Sequence, residues 1–274
     1  MLVRPEEPRA ELVEFSEEEV TRAIMAAALE DWLDMAETDV VIAGAGPSGL
    51  AAAIYTARAG LRTVVFEKKL SFGGGMGGGG MLFHKTVVEA PAHELLAKVG
   101  CRLAEVKPGL YVADAAEMIA KLASAALDAG AKIVLGVSIV DLIFRAEPLR
   151  VEGAVVQWSA VELSGLHVDP IGVRCRALVD CTGHDAEVLA LAVKRMPGLG
   201  LELQGYGPMW APEGERLVVE HTSRVCPGLY VAGMAVATLH GLPRMGPVFG
   251  GMLLSGKKVA ELIVEDLGGR ARNV

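Results

Sequence analysis

The sequence is short of cysteine, of aromatic residues and of side-chain amides. Its four cysteines, Cys101, Cys175, Cys181 and Cys226, are scattered through 274 residues with no C-x-x-C pair. That spacing excludes a disulfide framework and gives no support to a zinc ribbon, and it fits a reducing cytoplasm. Aromatics make up 5% of the chain, so Ala, Val, Leu and Gly must fill the core. The only asparagine is Asn273 and the only glutamines are Gln157 and Gln204; a scarcity of heat-labile amides fits a hot habitat. Positive charge is also in deficit. A net charge of -8 argues against a general nucleic-acid binder, and there is no polybasic patch for a membrane surface. Residues 40–57 and 225–243 carry no Asp, Glu, Lys or Arg, but Gly and Pro interrupt both, which suits strand–turn–helix units better than membrane spans. The opening "MLVRPEEPRAELVEF" is acidic and proline-bearing, unlike a signal peptide.

What is present is a hydrophobic fraction of 52%, enough for a sizeable core. Ser16 followed by Glu19 reads as a capping box opening a helix over residues 16–35. A strand over 39–43, an alanine-rich helix over 48–59 and a strand over 63–66 make a βαβ unit, spanning 39–68 with its flanks, which predicts a right-handed crossover in a parallel sheet. A glycine-dense loop follows over 71–83. A helix is expected over 113–130, and strands over 132–135, 138–145, 149–158, 174–183 and 228–233. A closing helix covers 249–267, so that the C-terminal strand–helix pair spans 228–267. With no repeat and no low-complexity linker, the chain reads as a single α/β domain over residues 1–274.

"VVIAGAGPSGL" places Gly44, Gly46 and Gly49 in the spacing G-x-G-x-x-G between a strand and a helix. Gly44 permits the tight turn, Gly46 lets backbone approach a pyrophosphate, and Gly49 allows close helix–strand packing. The helix N-terminus then presents its partial positive charge to phosphates. Glu67 ends the second strand, where an acid can bind a ribose 2′-hydroxyl. Lys68 beside it is either a phosphate or adenine contact or a solvated surface lysine. The layout resembles the FAD/NAD-binding, glutathione-reductase-like Rossmann superfamily, whose late "GLYxAGD" strand ends in an aspartate that holds the flavin side. Here the stretch is "GLYVAGMAV" and Met234 takes that place. A thioether is at best a weak acceptor and cannot replace a carboxylate there, so NAD is expected in the cradle rather than FAD.

Two histidine–aspartate segments remain, "GLHVDP" and "CTGHDAE". In an extended segment His167 and Asp169 point to one side. His184 follows a turn at the carboxyl end of a strand, where open α/β sheets place ligands. Imidazole and carboxylate together suit Fe(II), Mn(II) or Zn(II). The plainer alternative is that His184 and Asp185 cap a helix and His167 is a satisfied loop histidine.

In this order, "GAGPSGL", "FEKKLSFGGGMGGGGMLF", "LHVDP", "TGHDAE" and "GMAVATLHGLPRMGPVFGGMLLSGKKVAE" resemble the thiamine thiazole synthase family in its archaeal, sulfide-using form, over about residues 18–267. The resemblance implies an enzyme that makes an adenylated thiazole carboxylate, the thiamine precursor, from NAD, glycine and a sulfur source, releasing nicotinamide. Members with a cysteine at the position of His167 give up its sulfur; histidine there implies external sulfide, Fe(II) and repeated turnover. It further implies that Asp169 and His184 hold the iron, supplied by neighbouring subunits of a ring-like homo-oligomer, an octamer. Ser48, Glu67, Lys68 and Gly75 would contact the adenosine diphosphate, Ile139 the adenine side, and His167, Val168, Asp169 and Met234 the reacting ribose. Arg244 would hold the glycine carboxylate, a role that suits a planar guanidinium. Cys175 and Cys181 are expected to be buried structural thiols. One departure is Gly77, where the family often carries tryptophan; it implies a looser loop. Against this reading stand a flavin-dependent oxidoreductase of the same fold, a ribose-phosphate isomerase and an NAD sensor without catalysis.

Overall fold

The computed structural model describes residues 13–268, which form two compact units, one ending at Ala36 and the other beginning at Glu37. In the first, helix α1 (Glu17–Met35) starts as the sequence predicts: the Ser16 N–H donates to the Glu19 carboxylate at 2.8 Å, and Glu17, Glu18 and Glu19 put negative charge on the first turn.

The second unit opens with β1 (Glu37–Ala43), α2 (Pro47–Arg58) and β2 (Thr63–Glu67), the expected βαβ unit. Next come a 3₁₀ turn at Gly74–Gly78, β3 (Lys85–Glu89), α3 (His93–Lys98), β4 (Leu103–Lys107), β5 (Leu110–Asp114) and α4 (Ala115–Asp128). They are followed by β6 (Lys132–Leu135), β7 (Val137–Ala146), β8 (Leu149–Trp158), α5 (Ser159–Ser164) and β9 (Ile171–Asp180). The chain ends with α6 (Glu187–Arg195), α7 (Ala211–His221), β10 (Ser223–Cys226), β11 (Leu229–Val231), α8 (Met234–His240) and α9 (Gly250–Leu267).

The main sheet runs β10-β11-β9-β1-β2-β6, parallel from β11 to β6, with β10 antiparallel at one edge. The β7–β8 hairpin joins through antiparallel pairing of β8 with the first half of β9. The α/β architecture expected from the sequence is therefore present. Val40, Val41 and Ile42 are fully buried because a parallel strand covered on both faces has no wet side. Helix α2 packs under α9 so closely that a methyl group at Gly256 would overlap the Ser48 carbonyl oxygen. A separate antiparallel sheet, β3-β5-β4, lies between β2 and α4 in the chain and is tied to the rest where Val87 pairs with Val248.

Candidate active site

The carboxyl ends of β1, β2, β9 and β11 converge on one cavity of about 520 Å³, within the size range of small-molecule sites. At its floor the chain turns from β1 into α2. Gly44 takes a φ of +94°, and a Cβ there would sit 2.7 Å from the Cys181 carbonyl oxygen. Gly46 caps α2, Pro47 occupies its first turn, and Ser48 is buried beside them. The unpaired N–H groups of that turn therefore face the cavity. Gly49 does not line the cavity; it is a packing glycine, since a methyl there would overlap the Gly44 carbonyl oxygen.

Glu67 has a structural task as well as a place in the wall. Its carboxylate accepts from the Ala45 N–H and the Lys69 N–H, both at 2.9 Å, and so holds the glycine turn against the end of β2. Two amide bonds leave a carboxylate with lone pairs for a further hydroxyl. Lys68 lines the same wall and donates to Glu187, a pairing that raises its pKa. Gly75, Ile139 and Met234 complete this side. The glycine loop that carries Gly75 and Gly77 is anchored by Met76, which is fully buried.

The cavity lining also includes His184 and Arg244. The turn that presents His184 is built on Asp180, which sequence reading takes only as part of a strand. Its buried carboxylate accepts from the Thr182 N–H at 2.9 Å, the Thr182 hydroxyl at 2.7 Å and the Leu189 N–H at 2.8 Å. Thr182 Oγ1 accepts from the Glu187 N–H, and the Thr238 hydroxyl donates to the His184 carbonyl. Burial raises the Asp180 pKa and these donors oppose the rise.

Tyr206, also missed by sequence reading because its loop has no periodicity, stands between the two functional candidates. Its ring meets His184 edge-on at 4.8 Å, and the Arg244 guanidinium lies 5.9 Å from its centroid. Among the described residues no carboxylate pairs with that guanidinium. Partial burial and the Arg244 charge lower the His184 pKa, and Asp185 works against them, so the imidazole is neutral and its ring nitrogen available as a ligand at neutral pH.

The cavity thus gathers Gly44, Gly46, Ser48, Glu67, Lys68, Gly75, Ile139, His184, Met234 and Arg244. It does not include His167, Val168 or Asp169. These lie on the exposed segment between α5 and β9, held to β8 by the Gln157 amide donating to the Val168 carbonyl at 2.6 Å. Cys175 and Cys181 are buried thiols, as expected.

The model of the Thi4 family matches residues 21–249. A thiamine thiazole synthase from Sulfolobus acidocaldarius is 55% identical over 251 residues, covering 92% of this chain and 95% of its own length. One from Metallosphaera sedula is 55% identical over 248 residues, covering 90% and 92%. The crystal structure of Thermovibrio ammonificans THI4 superposes with a TM-score of 0.90 at 44% identity, covering 93% of this chain and 100% of that one. A geranylgeranyl bacteriochlorophyll reductase-like protein from Thermoplasma acidophilum matches at a TM-score of 0.51 and 16% identity over 86% of this chain and 80% of that one, a likeness of fold alone. Family model, curated relatives and solved structure coincide over nearly the whole length, and the chain belongs to the Thi4 family.

Proposed function

We propose that the chain is a thiamine thiazole synthase that builds the adenylated thiazole precursor of thiamine from NAD, glycine and sulfide, releasing nicotinamide. The observation that carries this reading is one cavity joining a dinucleotide cradle to an unpaired arginine. In a flavin enzyme of this fold a carboxylate would stand at the end of β11; Met234 lines the cavity there instead. A redox flavin site has no need of Arg244, whereas a glycine condensed onto the sugar brings a carboxylate that a guanidinium pairs with bidentately.

The residues have separable tasks. The α2 N-terminus and Ser48 hold the pyrophosphate, where backbone N–H groups and the helix dipole offset its charge. Glu67 accepts an adenosine ribose hydroxyl. Ile139 and Met234 give apolar contact to the adenine side and the reacting ribose. Arg244 orients the amino acid so that its amine meets the opened sugar carbonyl, a gain from positioning alone. His167, brought to the cavity with Asp169 from a neighbouring subunit, moves protons during isomerisation and ring closure.

The residues fit a borderline divalent metal: His184 offers a neutral imidazole and Asp169 a carboxylate. Asp169 does not line the cavity with His184, so the reading requires Asp169 from a neighbouring subunit of a homo-oligomer. Fe(II) held there would supply Lewis acidity toward the sugar oxygens and a site for sulfide.

The test is anaerobic incubation of the protein with NAD, glycine, sulfide and Fe(II), then mass spectrometry of the small molecules. The expected result is an adenylated thiazole carboxylate in excess over chains. Product capped at one per chain, with a protein mass lower by one sulfur, overturns the sulfide-using part. Intact NAD and no product overturn the synthase reading.

A further inference from the structure

Behind the cavity wall two carboxyl groups lie against the same turn of α9, and among the described residues neither has an ion-pair partner. Glu89 ends β3 and Glu215 lies in the first turns of α7; Glu215 is 7% exposed, and the two carboxyls lie against adjacent residues, Gly250 and Gly251, at the start of α9. One oxygen on each, Oε2 of Glu89 and Oε1 of Glu215, is buried without a hydrogen-bond partner among the described residues. The other Glu215 oxygen accepts from the Gly251 N–H. Both carboxyls sit against the start of α9, where the glycines leave room for them. A methyl at Gly250 would overlap both Glu89 oxygens, and one at Gly251 would lie 2.7 Å from the Glu215 carbonyl oxygen.

This corner fixes one wall of the cavity. The Val87 N–H donates to the Pro247 carbonyl and the Phe249 N–H to the Val87 carbonyl, both at 3.0 Å, so β3 runs beside the segment that enters α9. Val248, Phe249 and Met252 on that segment line the cavity. Two ionised carboxylates cannot share such a dry corner, whereas one proton between them supplies the donor that the contact requires.

Arg244, on the segment leading to Val248, faces the Tyr206 ring, and His93 of α3 stacks on Tyr111 of β5; the other charged side chains nearby have partners of their own. On β3, Lys85 pairs with Asp114 at 3.1 Å. On α7, Arg216 pairs with Glu213 and Glu220, and His221 packs on His240 of α8. On α9, Lys257 pairs with Glu261, close to Tyr55 and Arg58 of α2, and Lys258 donates to the Val219 and Glu220 carbonyls. Arg224 of β10 pairs with Asp266 at the far end of α9.

We propose that Glu89 and Glu215 share a single proton, and that this proton-sharing pair is the positioning device that holds the Val248–Met252 wall of the nucleotide cavity. The ligand used below, NAD, rests on the function proposed above; the proton itself does not. Burial and the Glu89 carboxylate push the Glu215 pKa up from 4.5 to about 9. A raised folded-state pKa gives stability that is complete below the ordinary carboxylate range. It is drawn down as pH rises and is gone above about 9. The wall should therefore loosen under alkaline conditions.

Three readouts on the full-length protein decide the matter. Infrared spectra near neutral pH should show a protonated-carboxyl carbonyl band in the wild type that Glu215→Gln lacks. Calorimetric affinity for NAD should fall at least about tenfold in the wild type as pH passes about 9. In Glu215→Gln, whose amide donates permanently to Glu89, that fall should disappear, and so should the alkaline decline in Tm. Should Glu215→Gln not fold, Glu89→Gln serves, with its amide donating to Glu215. A wild type without the protonated band, or a variant with the wild-type alkaline fall, overturns the proposal. If NAD binds at no pH, the proposed function fails, and the infrared band with the Tm profile still decides the shared proton.

Discussion

Cys181 borders the cavity, next to Ser48 and under the turn that carries His184, so its position alone would admit a role in sulfur chemistry. Its surroundings argue otherwise. The thiolate is the reactive form, and burial, with the Asp180 carboxylate adjoining, pushes the Cys181 pKa far up. Burial alone drives Cys175 to about 12, and Cys101 reaches about 11. All four thiols are buried. Iodoacetamide at neutral pH should therefore leave the native protein unmodified, as read by intact mass, and label all four cysteines once denaturant unfolds it. Rapid native labelling of Cys181 would show a thiolate at the cavity and reopen the possibility of a sacrificed protein sulfur. The same physical test separates residues that were legible from those that were not. Gly44, Gly46, Ser48 and Glu67 announce themselves because turn, helix start and strand end are local events with fixed spacing. Asp180 and Tyr206 do not. The first looks like the end of a hydrophobic strand, and the second sits in an irregular loop, so that only the folded chain reveals their contacts with the His184 turn.

At the scale of elements, close approach between α2 and α9 is what holds the phosphate-facing helix start in place. Gly256 lies in the middle of α9 directly against the Ser48 carbonyl, and a Cβ there would also stand 2.8 Å from the Ala51 Cβ. Replacing an interior helix glycine by alanine normally gains about 1 kcal/mol. Here the methyl would press on backbone of a second helix, which cannot rotate away, and overpacking of this kind costs about 1–3 kcal/mol. Gly256→Ala is expected to lower stability by a net 1 kcal/mol or so, and Tm by a few degrees, on that balance. It should also weaken NAD binding, because Ser48 moves with α2. Thermal unfolding and calorimetry check both; a Tm above wild type would mean that the helices are not in van der Waals contact at this point. The closing helix is legible in the sequence to within a residue at its start, β6 has the expected ends, and β8 begins and stops where its alternation does. The β3-β5-β4 sheet is not. Its strands "KTVVE", "LAEVK" and "LYVAD" are short and carry charge, and β4 is largely exposed, so their pattern lacks the clean alternation that marks a half-buried strand. Helix α7 is hidden for a related reason, since Gly214 and the buried Glu215 share its inward face with Val218 and interrupt the apolar pattern.

For the whole molecule, the proposed iron site requires Asp169 and His184 from neighbouring subunits, because Asp169 lies outside the cavity that His184 lines. The segment that carries Asp169 is bordered by apolar side chains open to solvent: Leu163 is 88% exposed and Leu166 is 64% exposed, with Val168 and Ile171 beside them. Exposed apolar clusters of this kind mark protein contacts, which supports a neighbouring subunit over this segment. A shared site makes a quantitative forecast. Asp169→Ala and His184→Ala should each be inactive alone and should each lose iron affinity. Co-expressed in equal amounts, they assemble sites at random. A site is intact only when its Asp169 comes from a His184→Ala chain and its His184 from an Asp169→Ala chain. Those two independent halves give about a quarter of the wild-type sites. Iron bound per chain and product formed per unit time should both return to about that fraction, with native mass spectrometry verifying that the oligomers are mixed. A site built within one chain predicts no recovery at all, because every chain would then lack one ligand. Mixed oligomers that neither bind iron nor form product would thus return both residues to a single subunit and require the 165–170 segment to fold over its own cavity.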